Sequence, residues 1–210
     1  MARQKSYHHG DLRQALLSEG SAMLEENGLE GLSLRKLAVR VGVSHAAPEH
    51  HFPTLKALLT AIAAEGFVRF GVAMRTGMAA AAADPVSQLR GASRGYLAFA
   101  TAQPHLFRLM FNSTLLDWSD PALIDTGATA RSVLTDICLP VARARGLDTV
   151  EGRAAVEHLV WSQIHGSAHL IIDGKVPLED ADGCEVPMSA LPQQFDMAYL
   201  LLGQLADRPA

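Results

Sequence analysis

Gly42 divides the twenty residues from Ser33 to Phe52 into two short segments, and this division constrains the fold more than any other feature of the sequence. Ser33 has a side chain suited to a helix N-cap, and Gly42 can adopt the left-handed conformation that ends many helices. Apolar residues recur between them at helical spacing, at Leu34, Leu37, Ala38 and Val41. The segment therefore predicts two short helices joined by a tight turn, the pattern of a helix-turn-helix.

The two predicted helices differ in what they can pack against. The first carries basic residues on the side away from its apolar residues, at Arg35, Lys36 and Arg40. The second, with Ser44 as its predicted N-cap and a body from His45 to His51, contains almost no large apolar residue and is predicted to face a partner rather than a core. Pro48 removes one helical hydrogen bond and disfavours helical geometry at Ala47, so an irregular or late start is expected.

Two interpretations of this hairpin stay open on these residues alone. It can be an ordinary helical hairpin inside an all-helical core, or its second helix can enter the major groove of DNA. The sequence around it favours the second interpretation.

Motifs on both sides of the hairpin fall in the order found in one family of bacterial proteins. Tyr7 to Arg13 reads YHHGDLR, the hairpin begins LSLRKLAVRVGVS, and His51-Phe52 precedes a long apolar stretch. With these motifs in register, about the first sixty residues resemble the TetR/AcrR family of transcriptional regulators. Far downstream, Trp161, His165 and Gly166 in WSQIHG resemble the WHG-type ligand-binding domain of one branch of that family.

The resemblance implies a domain organisation. An N-terminal three-helix helix-turn-helix DNA-binding domain, residues 1–56, is expected to be joined by a long helix to a helical effector-binding and dimerisation domain, residues 57–210. The fold is expected to be all-α.

The resemblance also implies sites, carried over by position. Ser44 and His51 match positions at the DNA backbone, and 45–47 match positions that approach bases. The full set expected to bind DNA is Lys5, Tyr7, His8, Ser33, Arg35, Lys36, Ser44, His45, Ala46, Ala47, His50, His51 and Lys56.

The chain departs from the family pattern at two positions. Glu49 replaces the usual tyrosine, and Leu55 replaces the usual lysine, so that Lys56 follows one place late. A carboxylate repels a phosphate, so Glu49 is expected to weaken backbone attraction unless it turns away or accepts from a cytosine amino group.

Charge is distributed unevenly along the chain. The net charge is −4, but residues 1 to 60 carry seven Lys or Arg against six acids, and the remainder carries eleven against sixteen. Phosphate binding needs a local basic patch, here expected from Arg3, Lys5, Arg35, Lys36 and Arg40. The acids of the first helix are expected on its other side or at its end. Modest DNA affinity with strong salt sensitivity follows.

Composition excludes several classes of protein. A chain of 210 residues with 49% hydrophobic residues can bury a full core. No run of eighteen apolar residues occurs and the beginning MARQKSYHHG is polar, so a cytoplasmic protein without a membrane partner is expected. Cys138 and Cys184 lack metal or redox spacing and are expected to be reduced structural thiols.

Helical periodicity continues through the rest of the chain, and no alternating strand pattern interrupts it. An amphipathic first helix stopping at Asn27-Gly28 is predicted, and the later helices are expected at about Thr54–Ala83, Val86–Ala102, Pro104–Asn112, Asp120–Arg145, Thr149–Ile172 and Pro192–Ala206. The break from Asp173 to Leu191 is expected to cross the surface. The last two helices are apolar on more than one face, which favours a two-fold dimer interface over a large monomer core.

Bulky and soft side chains with a few polar tips form a candidate effector site. They are Phe107, Met110, Phe111, Trp118, Trp161, His165 and His169. Such a mixture suits a small, largely apolar effector, although the same residues at helical spacing are common in ordinary cores. His158 shares a helix face with His165 and His169, but core or pocket histidines are more common than metal ligands, and no metal or cofactor is expected.

A formal enzyme motif is present at residues 91–95, where GASRG matches G-x-S-x-G. That motif works where a strand runs into a sharp turn and a helix, and here it lies in a predicted helix with no strand before it. No catalytic residue is therefore expected.

The sequence as a whole predicts a ligand-responsive, homodimeric transcriptional regulator, a repressor released from a palindromic operator in double-stranded DNA by a small-molecule effector. The alternative is a helical small-molecule-binding protein of the same architecture with weak or lost operator binding.

Overall fold

The computed structural model describes residues 9–176, and these residues form an all-α fold, as the sequence predicts. The α-helices are α1 (His9–Gly31), α2 (Leu34–Val41), α3 (Leu55–Ala79), α4 (Pro85–Ala102), α5 (Pro104–Met110), α6 (Pro121–Ala144) and α7 (Val150–Ile172). A 3-10 turn, Pro48–His50, stands between α2 and α3. The predicted helix at Pro192–Ala206 and most of the predicted break before it lie outside the described residues.

Side-chain caps set where the helices begin. Ser33 Oγ accepts from the backbone N–H of Lys36 at 3.2 Å, and Thr149 Oγ1 accepts from that of Gly152 at 3.0 Å. The same arrangement recurs at Thr54, Asp84 and Asp120. Because these side chains satisfy N–H groups that the first helical turn leaves unpaired, the predicted starts of α3, α4, α6 and α7 agree with the structure to within one residue.

Glycine ends two of the N-terminal helices. Gly42 caps α2 with φ 76° and ψ 35°, and Val43 N–H donates to the carbonyl of Ala38 at 3.0 Å. Gly28, with φ 65°, breaks α1 at the predicted stop, although a short helical turn continues to Gly31. Both stops use the left-handed backbone that glycine adopts without steric cost.

The end of α3 was predicted too late. It ends at Ala79 rather than near Ala83. The side-chain amide of Gln88 donates to the carbonyls of Met78 and Ala82, at 3.1 and 2.8 Å, and so takes the place of further helical N–H groups. Similarly, α5 ends at Met110 rather than Asn112.

The second helix of the predicted hairpin is not an α-helix, and this part of the prediction was wrong. Residues 45–47 form a turn, in which Ala47 N–H donates to the Ser44 carbonyl at 3.0 Å, and only Pro48–His50 is helical, as a 3-10 turn. Ala47 occupies the N-cap position, so Ser44 is not the cap. Pro48 lacks the N–H that would continue helical bonding to Ser44, which explains the irregular start that the sequence indicates.

The described residues divide into two compact units, of which the first contains residues 9–67 and 103–126. Its core contains fully buried apolar side chains, among them Leu16, Leu24, Leu37, Leu58, Ile62, Leu106, Phe107 and Met110. Segment 103–126 therefore belongs with the helix-turn-helix segment in one compact unit.

The second unit contains residues 68–102 and 127–176, and here α3 and α4 make close backbone contact. A Cβ atom added at Gly77 would overlap the carbonyl oxygen of Gly91, and one added at Gly95 would overlap that of Ala73. The glycines of the G-x-S-x-G match therefore allow two helices to approach, and Ser93 between them is buried on α4. The strand and sharp turn that a nucleophilic serine needs are not formed there.

One described helix, α3, is long and apolar enough to cross a membrane by length and composition alone. Its apolar window has a mean hydropathy of 1.5, and 61% of that window is buried inside the protein. Burial of this kind is what a core helix shows.

Replacing Gly91 by alanine should destabilise the protein, because the new methyl group would overlap the Gly77 carbonyl and force α3 and α4 apart. We expect the free energy of unfolding, measured by urea denaturation, to fall by about 1–3 kcal/mol. Gly127→Ala on α6 is the matched control, since nothing lies within 4 Å of its added Cβ. That control should gain about 0.5–1 kcal/mol. Equal stability of the two variants would contradict the close helix contact.

Candidate functional site

The described residues expected to bind DNA lie on α2, on the segment that follows it and at the start of α3. Arg35 and Lys36 are exposed on α2, and Lys36 Nζ donates to the Gly31 carbonyl at 3.2 Å. Ser33 serves as the α2 cap, and Lys56 is exposed at the second position of α3. Lys5, Tyr7 and His8 lie outside the described residues.

The segment after α2 is mostly exposed and is anchored by two buried residues. The exposed residues are Ser44, His45, Ala46, Glu49 and His50, whereas Ala47 and His51 are half-buried. Pro48 and Phe52 are buried, and the Arg13 guanidinium lies 5.3 Å from the centre of the Phe52 ring. The segment therefore presents polar and small side chains on a base that is fixed in the core.

Arg40 is the main correction to the predicted basic patch. It points outward as helical spacing predicts, but its Nε donates to Glu19 at 2.8 Å and its two terminal nitrogens donate to Glu26 at 2.5 and 2.7 Å. Hydrogen bonding to Glu26 and Glu19 raises the pKa of Arg40, and the Arg40 guanidinium lowers the pKa of Glu26. Glu19 and Glu26 of α1 thus face α2. The sequence had predicted the acids of the first helix on its other side or at its end, and for these two that prediction was wrong.

Other charged contacts of the first unit could not be read from sequence. Glu25 on α1 accepts from the backbone N–H of Leu106 at 2.6 Å and so caps the beginning of α5. Asp117, whose pKa is lowered first by hydrogen bonds from Ser119, also feels the charge of Lys56. Lys56 therefore has a carboxylate in its surroundings rather than solvent alone.

The four predicted effector residues of the first unit differ in accessibility. Phe107 and Met110 are fully buried, and Phe111 packs edge-on against Phe67, with ring centres 5.6 Å apart. Trp118 is exposed, and its Nε1–H donates to the Asn112 carbonyl at 3.3 Å. Whether these residues contact an effector stays a prediction.

The three predicted effector residues of the second unit lie on α7, and two of them, Trp161 and His165, contact Tyr96 of α4. The Tyr96 hydroxyl lies 2.7 Å from His165 Nδ1, and it is also hydrogen-bonded to Trp161. The His165 and His169 rings pack edge to face with centres 4.7 Å apart. Tyr96 was not among the residues predicted from the sequence. A buried tyrosine hydroxyl needs a polar partner, but the sequence does not indicate where in the fold that partner lies.

One hydrogen-bond direction in this cluster follows from chemistry. The indole N–H of Trp161 can only donate, so the Tyr96 oxygen accepts it, whereas the direction of the bond between Tyr96 and His165 depends on the tautomer of the imidazole. Burial, together with the nearby His169, lowers the pKa of His165 to about 4, and burial raises the pKa of Tyr96. Both groups are therefore neutral at pH 7.

The histidine spacing on α7 does not assemble a group of metal ligands. His158 is exposed, and between residues 9 and 176 no three His, Cys, Asp or Glu side chains come together in a manner that could hold a metal ion.

The fold and the exposed segment after α2 can be compared with those of known proteins. Residues 89–186 match the sequence model described as the tetracyclin repressor-like C-terminal domain. A little under half of the chain is therefore similar in sequence to that domain, in agreement with the resemblance that its N-terminal motifs indicate.

Several solved structures share the fold of this chain. A protein of unknown function from Rhodococcus sp. RHA1 is 29% identical, with a TM-score of 0.77 over 96% of this chain and 100% of the other. TetR family regulators from Marinobacter aquaeolei and Thermus thermophilus, the latter named PfmR, share the fold. The first is 18% identical with a TM-score of 0.61, covering 89% of this chain and 93% of its own. PfmR is 19% identical with a TM-score of 0.62, covering 89% and 95%. No curated protein matches the chain in sequence.

The lowered pKa of His165 should make the protein less stable in mild acid. Below its ordinary value of 6.5 the unfolded chain takes up a proton at this residue, whereas the folded protein does so only near 4. Stability is therefore lost as the pH falls from 6.5 towards 4, by roughly 1–3 kcal/mol from this residue. The difference between urea unfolding at about pH 7.5 and about pH 5 measures this loss.

His165→Asn is the matched variant, because an amide can still donate to or accept from Tyr96 but does not titrate in this range. Its stability should depend less on pH than that of the unmodified protein. An imidazole of His165 that titrates near 6.5 in an NMR experiment would contradict the assignment.

Proposed function

We propose that this protein is a TetR family regulator, a homodimeric repressor that binds a palindromic operator and releases it when a small-molecule effector binds. The observation that carries the proposal is the largely exposed segment from Ser44 to His50, which follows an α-helix that exposes Arg35 and Lys36 and is anchored by buried Pro48 and Phe52. An exposed segment on a rigid base suits recognition by shape and hydrogen bonding.

Within this proposal, each residue set has a distinct role. Arg35, Lys36, Ser44 and His51 contact the phosphate backbone, and residues 45–47 approach base edges. Two such segments in a dimer enter successive major grooves about 34 to 36 Å apart. The functional boundary that we propose is the one expected from sequence, with DNA binding in 1–56 and effector binding and dimerisation in 57–210.

The effector site that we propose includes Trp161, His165 and His169 of α7, together with Tyr96 of α4. Buried aromatic side chains lie beside the hydrogen-bonded tips, because Phe70 packs against both Tyr96 and Phe99. That composition favours a small, largely apolar effector that forms few hydrogen bonds. The effector alters DNA binding only through its different affinities for the two states of the dimer, and α3 is the covalent connection along which the difference acts.

The proposed family membership also favours a cytoplasmic location and a dimer formed through the C-terminal helices. Of these helices, α7 lies within the described residues and is exposed at Leu170. The proposed partners are thus operator DNA, an effector and a second copy of the chain.

A selection from random-sequence DNA duplexes, followed by mobility-shift titration at several salt concentrations, tests the repressor proposal. Arg35→Ala and Lys36→Ala should weaken binding to all sequences and reduce the slope of log affinity against log salt by about 1 each. Arg143→Ala, an exposed cation of the second unit, is the control and should leave both values unchanged. No enriched sequence and no complex at low salt would reject operator binding.

An alternative function is that of a helical small-molecule-binding protein with weak or lost operator binding. Two observations favour it. The carboxylate of Glu49 is exposed within the segment from Ser44 to His50, and Arg40 is paired with Glu19 and Glu26. Both reduce the attraction for phosphate.

The effect of Glu49 can be measured directly. Glu49→Gln should tighten binding of the enriched duplex by roughly two- to fivefold, since one repulsive charge is removed from the surface. Glu151→Gln, at the exposed beginning of α7, is the control for loss of an acid elsewhere. If both variants bind as the unmodified protein does, Glu49 turns away from the phosphates and does not weaken binding.

A further inference from the structure

The guanidinium of Arg40 joins two helices of the first unit. Its Nε meets Glu19 and both terminal nitrogens meet Glu26, so every nitrogen of the group is hydrogen-bonded to a carboxylate of α1. The pairing with Glu26 is a two-point fork, the geometry in which arginine and carboxylate fix each other's orientation.

We propose that Arg40 is a positioning residue for DNA binding: it holds the end of α2 against α1 and thereby aims the segment from Ser44 to His51. This inference rests on the proposed operator binding and assigns Arg40 a role other than the phosphate contact that its sequence position suggests.

Charge argues against a phosphate contact. One guanidinium stands between two carboxylates that no other described ion pair neutralises, so the cluster carries a net negative charge. A phosphate approaching Arg40 has to displace a carboxylate and then remain beside it. Arg35 and Lys36, on the same helix without such a pair of acids, are the better phosphate ligands.

The short length of α2 explains why such a connection is needed. The helix has eight residues, of which only Leu37 and Ala38 are buried, and Val39 is 66% exposed. Few apolar contacts therefore fix its direction. Arg40 precedes Val41, the last residue of α2, and the segment from Ser44 to His51 begins two residues after the Gly42 cap. A small rotation at the end of α2 would therefore move the whole segment.

Two variants separate the positioning role from a phosphate contact. Glu26→Gln frees part of Arg40, and Arg40→Lys keeps the charge but loses the fork. Glu30→Gln, an exposed acid of α1, is the control for removing a negative charge near DNA. Each is titrated against the duplex enriched by the unmodified protein, over a range of salt concentrations.

If Arg40 positions α2, Glu26→Gln and Arg40→Lys both weaken binding by roughly three- to tenfold relative to the control, and the salt slope is unchanged. If Arg40 binds phosphate, Glu26→Gln instead binds more tightly with a steeper slope, and Arg40→Lys stays close to the unmodified protein. The opposite sign for Glu26→Gln overturns the proposal.

Hydrogen exchange of the full-length protein without DNA provides a second measurement. Backbone amides of residues 34–47 should exchange faster in Glu26→Gln and Arg40→Lys than in Glu30→Gln, because a loosened helix opens more often. If the unmodified protein binds no duplex, operator binding is rejected while this measurement still tests the connection. Unchanged exchange in both variants overturns the positioning role.

Discussion

The close approach of α3 and α4 is the contact on which the second unit depends. Glycine at 77, 91 and 95 brings the two backbones so near that any side chain there would overlap a carbonyl or main-chain atom. This approach places Phe70 against Tyr96, with ring centres 4.6 Å apart, and the Tyr96 hydroxyl then meets His165 of α7. The polar centre of the proposed effector site is therefore held by backbone packing that involves no polar group of the site itself.

In the first unit, carboxylates of α1 have a comparable structural role. Glu25 caps α5, and Glu19 and Glu26 hold Arg40 of α2, so three acids of one helix fix two different elements. A count of charges along the sequence treats each of these acids as a group that repels DNA phosphates. In the structure they are internal partners, and the charge that matters for phosphate is the charge left after such pairing.

Helix existence and helix starts could be predicted because they depend on local chemistry. Ser33, Thr149 and Gly42 act through neighbours within five residues along the chain, and their roles agree with the structure. Contacts between elements could not be predicted, since nothing in the sequence indicates that Arg40 meets Glu26 or that Tyr96 meets His165. The effect of Pro48 could be predicted in part. Its sequence position indicates an irregular start of the second helix, but it does not indicate that this helix is reduced to one 3-10 turn.

The proposed DNA-binding surface, formed by α2 and the segment from Ser44 to His51, has few cations. This small number affects the choice between an operator-binding repressor and a small-molecule-binding protein. Arg40 is paired with carboxylates and Lys56 shares its surroundings with Asp117, which leaves Arg35 and Lys36 as the main described contributors to phosphate attraction on α2. Weak general affinity for DNA is then expected even of a working regulator, because non-specific binding depends on the number of phosphate contacts. Specificity is a difference between affinities, and a segment fixed by buried Pro48 and Phe52 at one end and by α2 at the other can supply it. Poor binding to arbitrary DNA therefore does not by itself decide for the small-molecule-binding alternative, whereas the absence of any preferred sequence would.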